Sequence, residues 1–215
     1  MVAHKDEIQH LILKKMNPAI VALSETRLTP DIEDDELNVP GYSLVRYDAE
    51  NRFTGGVALY VRNDIQFEIF LVDKISSNYW CITLNINVNF YKGKLAVIYH
   101  SPSASDGDFI RSLENIIENL INKEDCIVIG DFNIDILNDT FYARKLQTSM
   151  LSLGMKQYVD KPTRVTKNSH TLIDLVFANK KLNIQVISEP KITDHAWLKI
   201  DFNVKKLDDK YRVCK

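Results

Sequence analysis

One stretch, Cys126-Ile127-Val128-Ile129-Gly130-Asp131-Phe132-Asn133, constrains this chain more than any other. The apolar run Cys126 to Ile129 ends at a glycine and reads as a buried strand. It then releases Asp131 and Asn133, two residues apart. In extended backbone, residues i and i+2 point to the same side, so this acid and this amide can face one ligand together. A phosphate ester and its metal ion need such a pair. The competing reading is a strand followed by an Asx-type turn, for which Gly, Asp and Asn are the usual residues. Several other strands in the chain end in the same manner, and that favours a site over a turn.

The 215 residues are 45% hydrophobic and 26% charged, enough for one well-buried core and short for two domains. The net charge of −2 does not mark the whole surface as nucleic-acid-binding, so such a partner requires a local basic patch. The cysteines are three (Cys81, Cys126 and Cys214), an odd count matching neither a disulfide framework nor a zinc motif. This fits a reducing, intracellular compartment. No apolar run approaches the ~20 residues of a membrane span, and the polar N-terminus lacks a signal-peptide core.

Taken in order, His4 to Met16 has helical periodicity and is ended by Asn17-Pro18. Ile20 to Leu23 is a short buried strand followed by Ser24-Glu25-Thr26. The acidic run Asp31 to Glu36 reads as a solvated loop. Ser43 to Tyr47 and Val57 to Val61 read as a hairpin, and Ile65 to Val72 as a further strand. In Trp80 to Val88, apolar and polar residues alternate as in a half-exposed antiparallel strand. Leu95 to Tyr99 is a strand ending at His100-Ser101-Pro102. Asp108 to Asn122 is the clearest helix, and a second spans Thr140 to Leu153 before Gly154. Lys161 to His170 reads as a polar, partly basic loop. Thr171 to Phe177, Ile184 to Ser188 and Ala196 to Val204 read as strands, and Lys205 to Lys215 as a charged tail. Strands outnumber helices and most connections are short. The expected architecture is therefore a layered α/β sandwich, with mostly antiparallel sheets inside and helices outside.

Polar residues gather at the strand ends: Glu25, Tyr99, Asp131 with Asn133, Asp174 and Asp194-His195. Glu25 reads equally as a surface carboxylate, and Tyr99 as an aromatic at a sheet rim. Asp174, within Leu172-Ile173-Asp174-Leu175-Val176, is harder to dismiss, because a carboxylate in an apolar strand needs a partner. His195 can supply it, and a carboxylate-held imidazole carries positive charge near neutral pH. Together these residues form a parts list for metal-assisted phosphodiester hydrolysis.

The ordered set Leu23-Ser24-Glu25-Thr26, Ile98-Tyr99, Gly130-Asp131-Phe132-Asn133, Leu172-Ile173-Asp174 and Thr193-Asp194-His195 resembles the endonuclease/exonuclease/phosphatase superfamily. With Gly55-Gly56-Val57-Ala58-Leu59-Tyr60-Val61 and Tyr99-His100-Ser101-Pro102-Ser103, it is similar to the apurinic-endonuclease-like domain of non-LTR retrotransposons. The resemblance implies one domain over residues 1–204, a four-layer α/β sandwich of two mostly antiparallel sheets flanked by helices. It implies hydrolysis of DNA phosphodiester bonds with Mg²⁺ or Mn²⁺, Glu25 holding the metal and Asp194 supporting it or the water. Asp131 would act on the attacking water, Asn133 and Tyr99 would hold phosphate oxygens, and His195, positioned by Asp174, would stabilise the developing charge. It also implies a nuclear location and a reverse transcriptase domain elsewhere in a longer polyprotein.

The family pattern usually opens with a strand bearing a metal-binding asparagine, and here the chain opens at the helix that follows. The resemblance thus implies an N-terminally truncated domain, one sheet short of a strand, its metal site short of a ligand, and weak or no activity. Two rival readings share the fold. One is a non-catalytic DNA-binding relic using Arg46, Arg52, Lys161, Arg164 and Lys167, which read equally as an ordinary solvated surface. The other is a phosphatase or lipid phosphodiesterase of the same superfamily.

Overall fold

The computed structural model describes residues 5–10, 16–73, 78–121, 124–189 and 191–202. In chain order the elements are α1 (Lys5–Glu7), β1 (Ile20–Ser24), α2 (Asp34–Leu37), β2 (Tyr42–Tyr47), β3 (Val57–Arg62) and β4 (Phe67–Asp73). There follow β5 (Tyr79–Val88), β6 (Tyr91–His100), α3 (Asp106–Leu120), β7 (Asp125–Asp131) and α4 (Phe141–Ser152). The chain closes with β8 (Lys156–Gln157), β9 (Arg164–Val165), β10 (His170–Thr171), β11 (Asp174–Ala178), β12 (Asn183–Ile187) and β13 (Trp197–Asp201).

The main sheet has six strands in the order β4-β5-β6-β7-β11-β8. All its pairings are antiparallel except β6 with β7, which α3 joins as a crossover. The second sheet is β1-β3-β2, packed face to face on the first. Alternate residues of β1 explain the layering. Ile20 and Ala22 pack into the large core between the sheets, while Val21 joins Ile8, Val39 and Tyr60 in a smaller cluster on the outer face. On the other outer face lie α3 and α4, giving helix, sheet, sheet and helix layers.

Helix α3 buries Phe109, Ile110, Leu113, Ile116, Ile117 and Leu120 along one stripe, and the Ser105 hydroxyl accepts the Asp108 N–H at 3.3 Å at its start. Thr140 caps α4 in the same way, and Gly154, at φ +74°, closes it. β12 and β13 form a separate antiparallel pair. Among the described residues, β1 pairs only with β3 and β13 only with β12, so each leaves one edge open. Trp197 of β13 nonetheless packs against the apolar cluster that contains Val21 of β1.

Several sequence expectations shift. The acidic run is not all loop: Asp34–Leu37 forms a helical turn because Glu33 and Glu36 make a reciprocal capping box. Strand β5 is not half-exposed. It is buried on both faces from Tyr79 to Leu84, since Cys81 and Thr83 are small enough for a core position between layers. The fourth strand begins at Phe67 rather than Ile65, and Ile65 is buried in the turn before it. Asp174 opens β11 instead of lying within a strand from Thr171. The basic loop contains the two-residue ladder β9–β10. Lys5–Glu7 is helical, as expected of His4 to Met16, while 11–15 and the charged tail from Lys205 lie outside the described residues. Cys81 and Cys126 are buried and free, and Cys214 lies outside the described residues. Among the described residues, no helix is long and apolar enough to cross a membrane.

Candidate active site

The register of three neighbouring strands assembles the centre of the site. Asp131 ends β7, where it lies opposite Tyr99 of β6 on one side and Asp174 of β11 on the other. Cross-strand partners point to the same face, so Tyr99, Asp131 and Asp174 form a row. His195 enters from the loop before β13, its Nδ1 at 2.8 Å from Asp174 Oδ2. Donor atoms of Asp131, Asp174 and His195 all lie within 4.8 Å of one another.

The backbone at the end of β7 is shaped for close approach. A Cβ on Gly130 would sit 1.8 Å from the Ile98 carbonyl oxygen, so only glycine lets β6 and β7 close here. Beyond it, Asp131 Oδ1 accepts the Asn133 N–H at 3.0 Å, and Asn133 adopts a left-handed φ of +48°. The strand ends at Asp131, so the extended backbone expected through Asn133 is not found, and the Asx turn is what places Asn133 beside Asp131. The Phe132 N–H donates to the Ile173 carbonyl at 2.9 Å. The Asn133 amide donates to the His100 carbonyl at 2.8 Å, and buried His100 turns Nδ1 to the Phe132 carbonyl, also at 2.8 Å. That carbonyl can only accept, so Nδ1 carries the proton. Burial lowers the His100 pKa, which keeps the ring neutral.

Glu25 follows β1 with a left-handed φ of +49°, and Arg27 repeats the conformation at +55°. The bend is held by N–H groups of Thr26 and Arg27 on the carbonyls of Gly56 and Gly55, at 3.1 and 2.9 Å. Arg27 then reaches back to Glu25 Oε1 at 2.7 Å. The Thr54 hydroxyl lies 3.1 Å from the Tyr99 hydroxyl. Asp194 is paired with Arg164, Nε to Oδ2 at 2.7 Å. Thr54 carried no sequence signal as a site residue, and Arg27 and His100 stood only as neighbours within the motifs around Glu25 and Tyr99. The one clue was position, since Arg27 lies two residues from Glu25 and His100 next to Tyr99.

Electrostatics follow from this crowding. Burial and then the charge of Asp174 push the Asp131 carboxyl well above the ordinary carboxylate range, against the opposing pull of His195. Burial alone would lower His195, but the Asp174 hydrogen bond and the charges of Asp174, Asp131 and Asp194 outweigh it and raise its pKa. Tyr99 is pushed up to about 12, chiefly by burial, and stays a neutral phenol. Burial raises Asp194, yet its bond to Arg164 and the nearby positive charges leave it below the ordinary value.

The basic residues divide. Arg164 stands at the site. Lys161 and Lys167 are exposed on the same loop. Arg52 pairs with Asp31 at 2.5 Å on the surface. Arg46 faces inward, donating to the Ile32 carbonyl at 2.7 Å and pairing with Asp34 at 2.9 Å.

The sequence pattern described as the Endonuclease/Exonuclease/phosphatase family matches residues 1–195. The chain belongs to this endonuclease/exonuclease/phosphatase family. Solved structures agree on the fold. The endonuclease domain of TRAS1, a telomere-specific non-LTR retrotransposon, superposes with a TM-score of 0.70 at 14% identity, covering 93% of each chain. An endonuclease/exonuclease/phosphatase family protein from Leptotrichia buccalis gives 0.63 at 19% identity, covering 93% of this chain and 94% of the other. The Bacteroides thetaiotaomicron mannosyl-6-phosphatase Bt3783 gives 0.66 at 13% identity, covering 93% and 90%. A search of curated proteins returns no match.

In this endonuclease/exonuclease/phosphatase chain, the donor set fits a hard divalent cation. It is carboxylate-rich, with Glu25 and Asp194 beside the Asp131, Asp174 and His195 group. Asp131 is buried with its charge under-compensated, a state that a cation relieves. Arg27 and Arg164, which neutralise Glu25 and Asp194, are about half exposed and can be displaced.

Proposed function

We propose that this chain is a metal-dependent endonuclease domain that hydrolyses DNA phosphodiester bonds. The observation that carries the reading is the row Tyr99, Asp131, Asp174 across three strand ends, with His195 held at 2.8 Å from Asp174. Glu25 would hold Mg²⁺ or Mn²⁺, with Asp194 in support. When bound, the ion supplies Lewis-acid polarisation of the phosphate and assistance to the leaving oxygen.

The chain's own groups do the rest. Asp131, its basicity raised by burial, takes a proton from the attacking water. The water oxygen bonds to phosphorus as the bond to the 3′ oxygen breaks, leaving a 5′ phosphate and a 3′ oxygen that takes a proton from solvent to become a hydroxyl. Asn133 and the neutral Tyr99 phenol donate to phosphate oxygens. His195, kept protonated by Asp174, faces the charge that builds on those oxygens. Arg164, Lys161 and Lys167, with Arg52, supply a basic rim for the DNA backbone. The likeness to the TRAS1 domain supports DNA as substrate and a polyprotein carrying a reverse transcriptase as context.

The test is nicking of supercoiled plasmid under Mg²⁺ and Mn²⁺. Nicking is expected to stop with chelator and to fall at least ~10³-fold in Asp131→Ala and His195→Ala. Plasmid left intact under both ions by folded protein would refute the reading. Salt-sensitive DNA binding without turnover would then favour a non-catalytic relic. Turnover of small phosphate esters but not DNA would favour a phosphatase, the activity named for Bt3783.

A further inference from the structure

Thr163 lies in the polar loop before β9 and is wholly buried. Its N–H, its carbonyl and its hydroxyl oxygen all have partners. Its N–H donates to the Thr171 carbonyl at 2.9 Å, and its carbonyl accepts the Ala196 N–H at 2.7 Å. Its hydroxyl oxygen accepts two further N–H groups, Asp174 at 3.0 Å and Ile173 at 3.3 Å. Ala196 is the residue after His195. Ile173, through its carbonyl, holds the Phe132 N–H of the Asp131–Asn133 turn. Thr163 therefore stands where three site segments cross: the turn after β7, the start of β11, and the loop carrying Asp194 and His195. The next residues extend the seam, with Arg164 bridged to His195 and the Val165 N–H on the Asp194 carbonyl at 3.0 Å.

We infer that Thr163 is a positioning residue for hydrolysis, its hydroxyl fixing the start of β11 so that Asp174 meets His195. The inference rests on the endonuclease reading only for what the pair then does. The pair joins residues 21 apart in sequence; the Asp174 backbone is set on one side by its pairing with Asp131 and on the other by the Thr163 hydroxyl, which ties it to the loop next to His195. Thr163→Val keeps shape and burial but removes the acceptor, leaving two interior N–H groups unsatisfied. Strand β11 must then shift or admit water, and Asp174 moves with it. Thr163→Ser keeps the acceptor.

The experiment compares wild type, Thr163→Val and Thr163→Ser, all verified as folded, well below their melting temperatures. A misplacement near 1 Å lowers turnover by ~10²-fold, so kcat in the valine variant should fall to that degree. KM should change by less than about threefold, because backbone contacts that bind DNA are untouched. The serine variant should retain most of the rate. An activity-independent readout is the hydrogen-bonded Nδ1 proton of His195, a slowly exchanging low-field NMR signal expected in wild type and serine and absent in valine. A folded valine variant with unchanged kcat and an unchanged His195 signal would overturn the inference. If wild type cleaves no DNA, the endonuclease reading fails while the His195 signal still decides the role of Thr163. If the valine variant does not fold, amide exchange in wild type decides: an Asp174 N–H as unprotected as a surface loop would overturn it.

Discussion

Replacing Asp131 by asparagine should make the metal-free protein more stable while abolishing its chemistry. The carboxyl is 3% exposed, and burial and the charge of Asp174 raise its pKa above that of the unfolded chain. Between the two values the folded state binds more protons than the unfolded state. Wild-type stability therefore falls as pH rises through that window. The Asp131 carboxyl is pushed up to about 7, and each tenfold step in a protonation constant costs about 1.4 kcal/mol of stability at pH 8. Asparagine is isosteric, its Oδ1 still accepts the Asn133 N–H, and it carries no charge to bury. Since 1 kcal/mol moves Tm by about 2–4 °C in a chain of this size, Asp131→Asn should melt higher at pH 8 with chelator present, by about 3–6 °C for each such step. The gap should close toward pH 4, where wild-type Asp131 is protonated. Mg²⁺ or Mn²⁺ at a hundredfold its Kd should add about 2.7 kcal/mol to wild type and much less to the variant. Thermal and denaturant melts at pH 4 and pH 8, with and without divalent ion, measure the Tm shift and the free energies. A variant that is less stable than wild type at pH 8, or equally stabilised at both pH values, refutes the claim that the charge of Asp131 is under-compensated.

Gly130→Ala should destabilise the fold by roughly 3–5 kcal/mol, because the new Cβ meets a neighbouring backbone carbonyl at 1.8 Å and β6 must part from β7 at the site itself. Gly107→Ala is the control, for its Cβ would meet nothing nearer than 3.5 Å and should cost nothing; equal losses in chemical denaturation would refute the close-approach argument. Asp174→Asn should lower the pKa of His195, since burial then acts with less opposition. Wild-type stability from this pair is full below pH about 6.5 and lost as pH rises through the raised folded-state value, so the variant should lose stability at low pH relative to high. An NMR titration of the His195 ring that does not move would sink this account.

Much of the candidate site was legible because polar side chains at the ends of apolar runs are local signals. Glu25, Tyr99, Asp131, Asp174 and His195 each announce themselves that way. Their meeting is not local. Tyr99, Asp131 and Asp174 become neighbours through the register of a parallel and an antiparallel pairing, which no single stretch encodes. The same limit explains the misread β5, where alternation predicted a wet face but a second sheet covers it. It applies to Arg46 too, which charge offered equally as a phosphate contact or as ordinary surface and which the fold pairs with Asp34 and the Ile32 carbonyl. Thr163 marks the far end of this scale. By composition it is one more hydroxyl in a basic loop, yet the fold buries it and gives its N–H, carbonyl and hydroxyl oxygen partners. The residues that carry charge in this site could be read one at a time. The residues that bring them within a few ångströms against mutual repulsion are neutral, such as Gly130, Thr163 and neutral His100, and they become visible only once strands are paired. A variant of the first group should change chemistry and pH dependence with the scaffold intact, whereas one of the second should change geometry first, and measuring fold and turnover separately distinguishes the two.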